Sequence, residues 1–195
     1  MGVSYGAAKN KKRRKNIMTT SEYLGTPETV LPRELAFGVL RVRDSPVVVH
    51  QRVVRDLTIA LTAFTRDHRL GEILPAPMDV ILDADANLVV QPDIVFVSTD
   101  RAHIVSDRIH GTPDLVGEVL SPNPRIGLLH QKIEWFARYG VKECWLVDLS
   151  RRQVAVLAFE GARVAGRGLF SGVERIASAV MPELRLTPTD LFGYQ

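Results

Sequence analysis

The run "GTPDLVGEVLSP", Gly111 to Pro122, limits what this chain can fold into more than any other stretch. Its middle is apolar and bounded by prolines, which reads as a short strand buried in a sheet. Yet it carries two carboxylates, Asp114 and Glu118. In such surroundings an ionised carboxylate neutralises, pairs with a cation or binds a metal. Strand alternation places Asp114, Val116, Glu118 and Leu120 on one face and Leu115, Gly117 and Val119 on the other. On a straight strand the two acids stand roughly 13 Å apart, too far to hold one ion together. Glu118 therefore needs a partner from another element.

Asp93, in "VQPDIVFV", heads a second apolar strand from Ile94 to Val97, a run suited to a sheet covered on both faces. Paired strands lie about 4.8 Å apart, close enough for two carboxylate oxygens to share a Mg²⁺. Taken alone, Asp93 reads first as a strand-entry cap. Beyond the Glu118 strand, Leu128, Leu129, Lys132, Ile133, Phe136 and Tyr139 recur at helical intervals, and Gly140 is an apt residue to end that helix. Lys132 sits on or beside its apolar stripe. Either it snorkels, or, beside two carboxylates, it orients or activates a water or stabilises charge on a phosphate oxygen.

Elsewhere, Thr20 to Leu24 opens as a short capped helix, Glu34 to Arg43 as a first strand, and Val48 to His68 as an amphipathic helix ended by Gly71. Met78 to Leu82 is a strand leading into the turn "DADAN"; Arg101 to His110 is a loop or short helix. Glu143 to Leu149 and Val154 to Phe159 are strands joined through Ser150, Arg151 and Arg152, and an irregular C-terminal segment closes the domain. This order predicts an α/β (α+β) fold with a central mixed β-sheet flanked by helices.

At 195 residues, with 46% hydrophobic content, the chain supports one well-cored domain, expected over residues 18–195 behind a disordered basic tail, 1–17. No apolar run approaches the roughly 20 residues of a membrane helix, and no apolar segment follows the basic N-terminus, so a cytoplasmic protein without membrane association is expected. Cys144 is the only cysteine and lies in an apolar run, so it reads as a buried thiol. The net charge of +3 belongs to the tail: removing Lys9, Lys11, Lys12, Arg13, Arg14 and Lys15 leaves −3 on the rest. "KNKKRRK" is either an electrostatic arm for nucleic acid or a plain leader.

The order of Asp93, Glu118 and Lys132 resembles the PD-(D/E)XK nuclease superfamily. "TSEYLGTPE", "QPDIVFVS", "GTPDLVGEVLSPN", "KIEWFARYGVKECWLVDL" and "MPELRLTPTDLF" together are similar to the Uma-type restriction endonuclease family, over about Thr20 to Phe192. The resemblance implies Asp93 and Glu118 as ligands of Mg²⁺ (or Mn²⁺), and Lys132 as a catalytic lysine moved to the helix after the acid strand. It implies DNA as substrate, hydrolysis of a phosphodiester as the reaction, and a homodimer. Asp114 is then a supporting residue that braces the ligands. Three departures stand out. Leu128 occupies the position of the family's acid four residues before the lysine. "RELAFGVL" only loosely keeps the family's "YELIDGEL", so Glu34 is outside the assigned trio. Extra residues before His50 leave that histidine as a helix-start residue. Two alternatives use the same acids: a decayed nuclease-fold module that binds nucleic acid or protein, and a two-carboxylate glycosidase, which leaves Lys132 unexplained.

Overall fold

The computed structural model describes residues 17–27, 31–43, 45–120 and 126–193, with side chains omitted at 126 and 127. The expected basic tail therefore lies almost wholly outside the described residues.

In chain order the elements are α1 (Thr20–Leu24), β1 (Arg33–Ala36), β2 (Val39–Val42), α2 (Val48–Asp67), β3 (Gly71–Pro75), β4 (Val80–Asp83), β5 (Leu88–Val90) and β6 (Ile94–Ser98). A 3₁₀ turn over Thr99–Ile104 leads to β7 (Ile109–His110), β8 (Leu115–Leu120), α3 (Ile126–Tyr139), β9 (Glu143–Asp148), β10 (Gln153–Glu160), β11 (Arg163–Ser171) and α4 (Pro188–Phe192).

The expected α/β (α+β) fold of mixed sheet flanked by helices is found, with its strands divided between two sheets. The larger runs β11-β10-β9-β8-β6-β3 and the smaller β2-β1-β5-β4-β7. Both are mixed. β8 and β9 are parallel, so a crossover must join them, and α3 is that crossover. On one face of the large sheet α2 buries Val53, Val54, Leu57 and Leu61 against Ile94, Phe96, Leu115 and Val119, with α4 closing the layer. On the other face Val95, Val97 and Val116 pack with Trp135 and Phe136 of α3 and with Ala36, Val80, Leu88 and Val90 of the small sheet. The second face is the one that matters for function. By alternation Asp93 shares it with Val95 and Val97, and Glu118 shares it with Val116.

Local chemistry accounts for several element ends. Thr19 and Glu22 form a reciprocal capping box at the start of α1. Gly140 takes φ +88° just past α3, where an L side chain would be strained. Three expectations are corrected. Glu34 to Arg43 is a hairpin, because Phe37 and Gly38 both adopt positive φ and reverse the chain. Gly71 does not end α2: the helix stops at Asp67, Arg69 takes the left-handed conformation at φ +53°, and Gly71 already belongs to β3. β3 is thus an edge strand hidden behind a mistaken helix stop. β11 is likewise a full strand that the sequence reading left unassigned; it is mostly exposed, so it lacks the burial alternation that marks a strand.

Candidate active site

β6 and β8 pair antiparallel with Ile94 opposite Gly117. Continuing that register by one residue sets Asp93 opposite Glu118. A Cβ on Gly117 would stand 3.2 Å from the Ile94 Cβ, so glycine here permits the close approach of the two strands that brings the acids together. Asp93 Oδ2 also accepts the Val119 N–H at 2.7 Å, which ties this carboxylate to the backbone of the Glu118 strand.

Lys132 enters from α3. Its Nζ lies 2.5 Å from Glu118 Oε1 and 2.7 Å from Glu34 Oε1. All three side chains are buried, so Lys132 is no snorkelling residue: it is a buried cation clamped between two carboxylates. Glu34 faces it from β1 and is itself held by the Gln91 N–H at 3.0 Å.

Two further groups complete the cluster. Arg43, just past β2, places Nη2 3.5 Å from Glu118 Oε2 and Nη1 3.9 Å from Glu34 Oε1, while Nη1 donates to the Gln91 carbonyl at 3.1 Å. His50, on the first turn of α2, places Nε2 3.3 Å from Asp93 Oδ2 and is buried. These positions correct the sequence reading, which left Glu34 outside the site, gave His50 no role and did not single out Arg43. The sequence did carry a trace of two of them. His50 precedes Val53, Val54, Leu57 and Leu61 by three, four, seven and eleven residues, so it lies on the buried stripe of α2. Glu34 is an acid followed directly by the buried apolar residues Leu35 and Ala36 of its strand.

Asp114 goes elsewhere. At the opposite end of β8 its Oδ2 accepts the Ser98 N–H at 2.8 Å, its Oδ1 pairs with Lys142 Nζ at 2.6 Å, and Arg101 Nε stands 3.6 Å away. Among the described residues its contacts include none of Asp93, Glu118 or Lys132; it braces the entrance to β8. Leu128 is half-buried on the early part of α3.

The electrostatics follow from burial set against pairing. For Glu118 burial pushes the carboxyl above its ordinary range, and Asp93 and Glu34 push the same way, while Lys132 and Arg43 pull it back only in part. For Glu34 burial is again the largest effect, but Lys132 and Arg43 outweigh it and hold the carboxyl below the ordinary range. Asp93 is likewise lowered, burial being outweighed by His50, Arg43 and the Val119 N–H. Burial opposes the charge on Lys132, yet Glu118 and Glu34 together raise its ammonium above the usual lysine value. With three carboxylates and two permanent cations the cluster has one negative charge in surplus when His50 is neutral.

Does this set suit a metal ion? The described residues contain no group of three or more His, Cys, Asp and Glu side chains arranged to hold one. Mg²⁺ does not require that: it takes one or two carboxylates and fills its remaining positions with water and substrate phosphate oxygens. Asp93 and Glu118 supply two such carboxylates. Buried Glu118 Oε1 accepts no well-aligned hydrogen bond among the described residues, which leaves a lone pair beside the Lys132 ion pair. The donor set and the surplus charge therefore fit Mg²⁺ or Mn²⁺.

No helix among the described residues is long and apolar enough to cross a membrane. No curated protein matches the chain. Among five matching solved chains, one described as "a putative nuclease belonging to DUF820 from Anabaena variabilis ATCC 29413" superposes with a TM-score of 0.74 at 20% identity, covering 90% of this chain and 98% of its own. At that identity the likeness shows a common fold. The model of the Uma2 family, described as "Putative restriction endonuclease", matches residues 21–189. With most of its length matched, and with the nuclease's fold, the chain belongs to the Uma2 family.

Proposed function

We propose that the protein is a metal-dependent endonuclease that hydrolyses DNA phosphodiester bonds in the cytoplasm as a homodimer, with Asp93, Glu118 and Lys132 as its catalytic residues. The observation that carries this reading is the convergence of Glu118 and Lys132 at 2.5 Å beside Asp93, on the face shared by two adjacent strands and a helix. Asp93 and Glu118 would hold Mg²⁺ or Mn²⁺. When bound, that ion polarises the scissile phosphate and lowers the pKa of an attacking water.

The chain's own residues do the remaining work. Lys132 presents a permanent positive charge in a water-poor site, where it opposes charge building on a phosphate oxygen. Glu34 holds the ammonium in place through a 2.7 Å contact. His50 and the Val119 N–H fix the Asp93 carboxylate, so it need not be reorganised when substrate arrives.

Divalent-metal-dependent cleavage of plasmid DNA by the purified protein tests the reading, with Glu118→Ala as control. Equal cleavage by both proteins would remove the assignment. A second reading, a decayed module that binds without cleaving, is favoured by Leu128 and by the net −3 outside the first 17 residues, since a DNA-gripping body is more often basic. Calorimetry separates the two: Mn²⁺ binding that disappears in Asp93→Ala argues against decay.

A further inference from the structure

Among the described residues, Arg43 is the cation of the cluster within reach of solvent. Its side chain is 34% exposed, against 7% for Lys132. It is also the least committed. One arm of its guanidinium is anchored by Nη1 on the Gln91 carbonyl at 3.1 Å, while Nη2 stands 3.5 Å from Glu118 Oε2, beyond the usual length of a charge-assisted hydrogen bond. A guanidinium carries five donors in a planar fork that matches two oxygens of a phosphate. Here the backbone uses one donor, and Nη2 stands beside Glu118, one of the two carboxylates proposed above to hold the metal.

With a divalent cation on Asp93 and Glu118 offsetting the surplus negative charge, the surroundings would favour an oxyanion at this spot. Glu118 places Arg43 and Lys132 on its two oxygens, so a phosphate that approaches the Glu118 carboxylate meets the guanidinium at the solvent side and the ammonium at the buried side. α2 brings His50 onto Asp93 from its first turn and has no side-chain cap there, so the positive end of a 20-residue helix lies at the same mouth. An arginine guanidinium does not deprotonate in proteins. The charge thus persists throughout the working pH range, and only an incoming anion adds a new partner.

Resting on the nuclease reading above, we propose that Arg43 is a further catalytic residue, which grips the non-bridging oxygens of the scissile DNA phosphate through the free arm of its guanidinium. Two measurements on Arg43→Ala and Arg43→Lys test this. The first is anisotropy of a labelled DNA duplex, with Ca²⁺ in place of Mg²⁺ or Mn²⁺, across a series of salt concentrations. Arg43→Ala should bind more weakly with a salt slope smaller by about one, the loss of roughly one phosphate contact, and Arg43→Lys should keep the slope.

The second is plasmid cleavage in Mg²⁺ or Mn²⁺. Arg43→Ala should lose roughly 10²-fold in rate, as for removal of one preorganised donor, with Arg43→Lys between it and the parent. Added guanidinium should restore at least roughly tenfold to Arg43→Ala and nothing to Lys132→Ala, a rescue that a merely structural role would not show. Duplex binding with unchanged affinity and slope overturns the proposal, as does Arg43→Ala cleavage that guanidinium leaves unmoved. If the parent protein cleaves no DNA with either metal, the nuclease reading fails, and the binding measurement alone decides Arg43. If Arg43→Ala does not fold, Arg43→Gln takes its place in both.

Discussion

Replacing Lys132 by methionine removes the ammonium lodged between Glu34 and Glu118 at nearly constant volume, leaving two buried carboxylates with only the looser Arg43 pairings. Each lost contact is worth several kcal/mol in simple Coulomb terms at an effective dielectric of about 20. The folded protein has a less costly response: one carboxyl takes up a proton. Glu118 is the one to do so, because burial already pushes it up and Lys132 is the larger of the two charges pulling it back.

Protonating a carboxyl of ordinary pKa near 4.3 costs about 1.36 kcal/mol per pH unit, hence about 4 kcal/mol at pH 7.3. That figure caps the destabilisation and falls within the roughly 3–5 kcal/mol typical of a broken buried ion pair. The sign is fixed by linkage. With its folded pKa raised above the unfolded one, the variant's penalty is absent below the ordinary carboxylate pKa and grows as pH rises towards the folded value. Urea unfolding in EDTA should therefore show Lys132→Met about 4 kcal/mol less stable than the parent at pH 7.3 and only about 1.5 kcal/mol less stable at pH 5.5. The near-neutral loss corresponds to a drop in Tm of roughly 10 °C. A penalty equal at both pH values, or below about 1 kcal/mol at pH 7.3, would refute the reasoning, because it would mean that the three groups are not desolvated together.

Asp114→Ala should lower stability by about 2–3 kcal/mol, since it strips the Ser98 N–H of its buried acceptor, and should leave Mn²⁺ affinity unchanged in calorimetry. Burial raises the Asp114 carboxyl, but its hydrogen bonds from Lys142 and Ser98 outweigh that and hold it low, so its contribution is present at neutral pH and disappears as pH falls below the ordinary aspartate range. Glu143→Gln should destabilise by about 2–4 kcal/mol, because one carboxylate accepts the Ala179 and Val180 N–H groups, the Ser178 hydroxyl and the Trp145 indole; limited proteolysis should cut first between residues 172 and 187. Gly117→Ala should cost about 1–3 kcal/mol by forcing β6 from β8, and should weaken Mn²⁺ binding as well, because the same displacement parts Asp93 from Glu118.

Strands and helices with internal periodicity were legible in the chain itself. β8 runs over Leu115–Leu120 as read from the sequence, because a strand covered on both faces leaves a nearly continuous apolar run, and α3 reaches Tyr139 with Gly140 behind it, because one buried helix face leaves a period near four. The hairpin at Phe37 and Gly38 was not legible: it depends on a positive φ at phenylalanine, which no common turn signature announces. Nor was the division of the strands into two sheets, since pairing partners distant in sequence leave no local mark. Asp148 shows the opposite case. Standing two residues before the turn residue Ser150, it accepts the N–H groups of Ser150 and Arg151, because such a turn is built within four residues.

The candidate site divides along the same line. Apolar runs interrupted by acids, and a lysine on an apolar stripe, made Asp93, Glu118 and Lys132 candidates in the sequence, because a charge set among apolar residues stands out without any knowledge of its neighbours, and the family resemblance then joined them into one trio. Which groups answer those charges is a matter of tertiary structure alone. Glu34 is 98 residues from Lys132 in the chain and 2.7 Å from it in space, while Asp114, four residues from Glu118, serves the other end of the strand. Sequence determines which side chains are too polar for the places their neighbours imply; only the packing of two sheets around α3 decides which opposite charges are there to meet them.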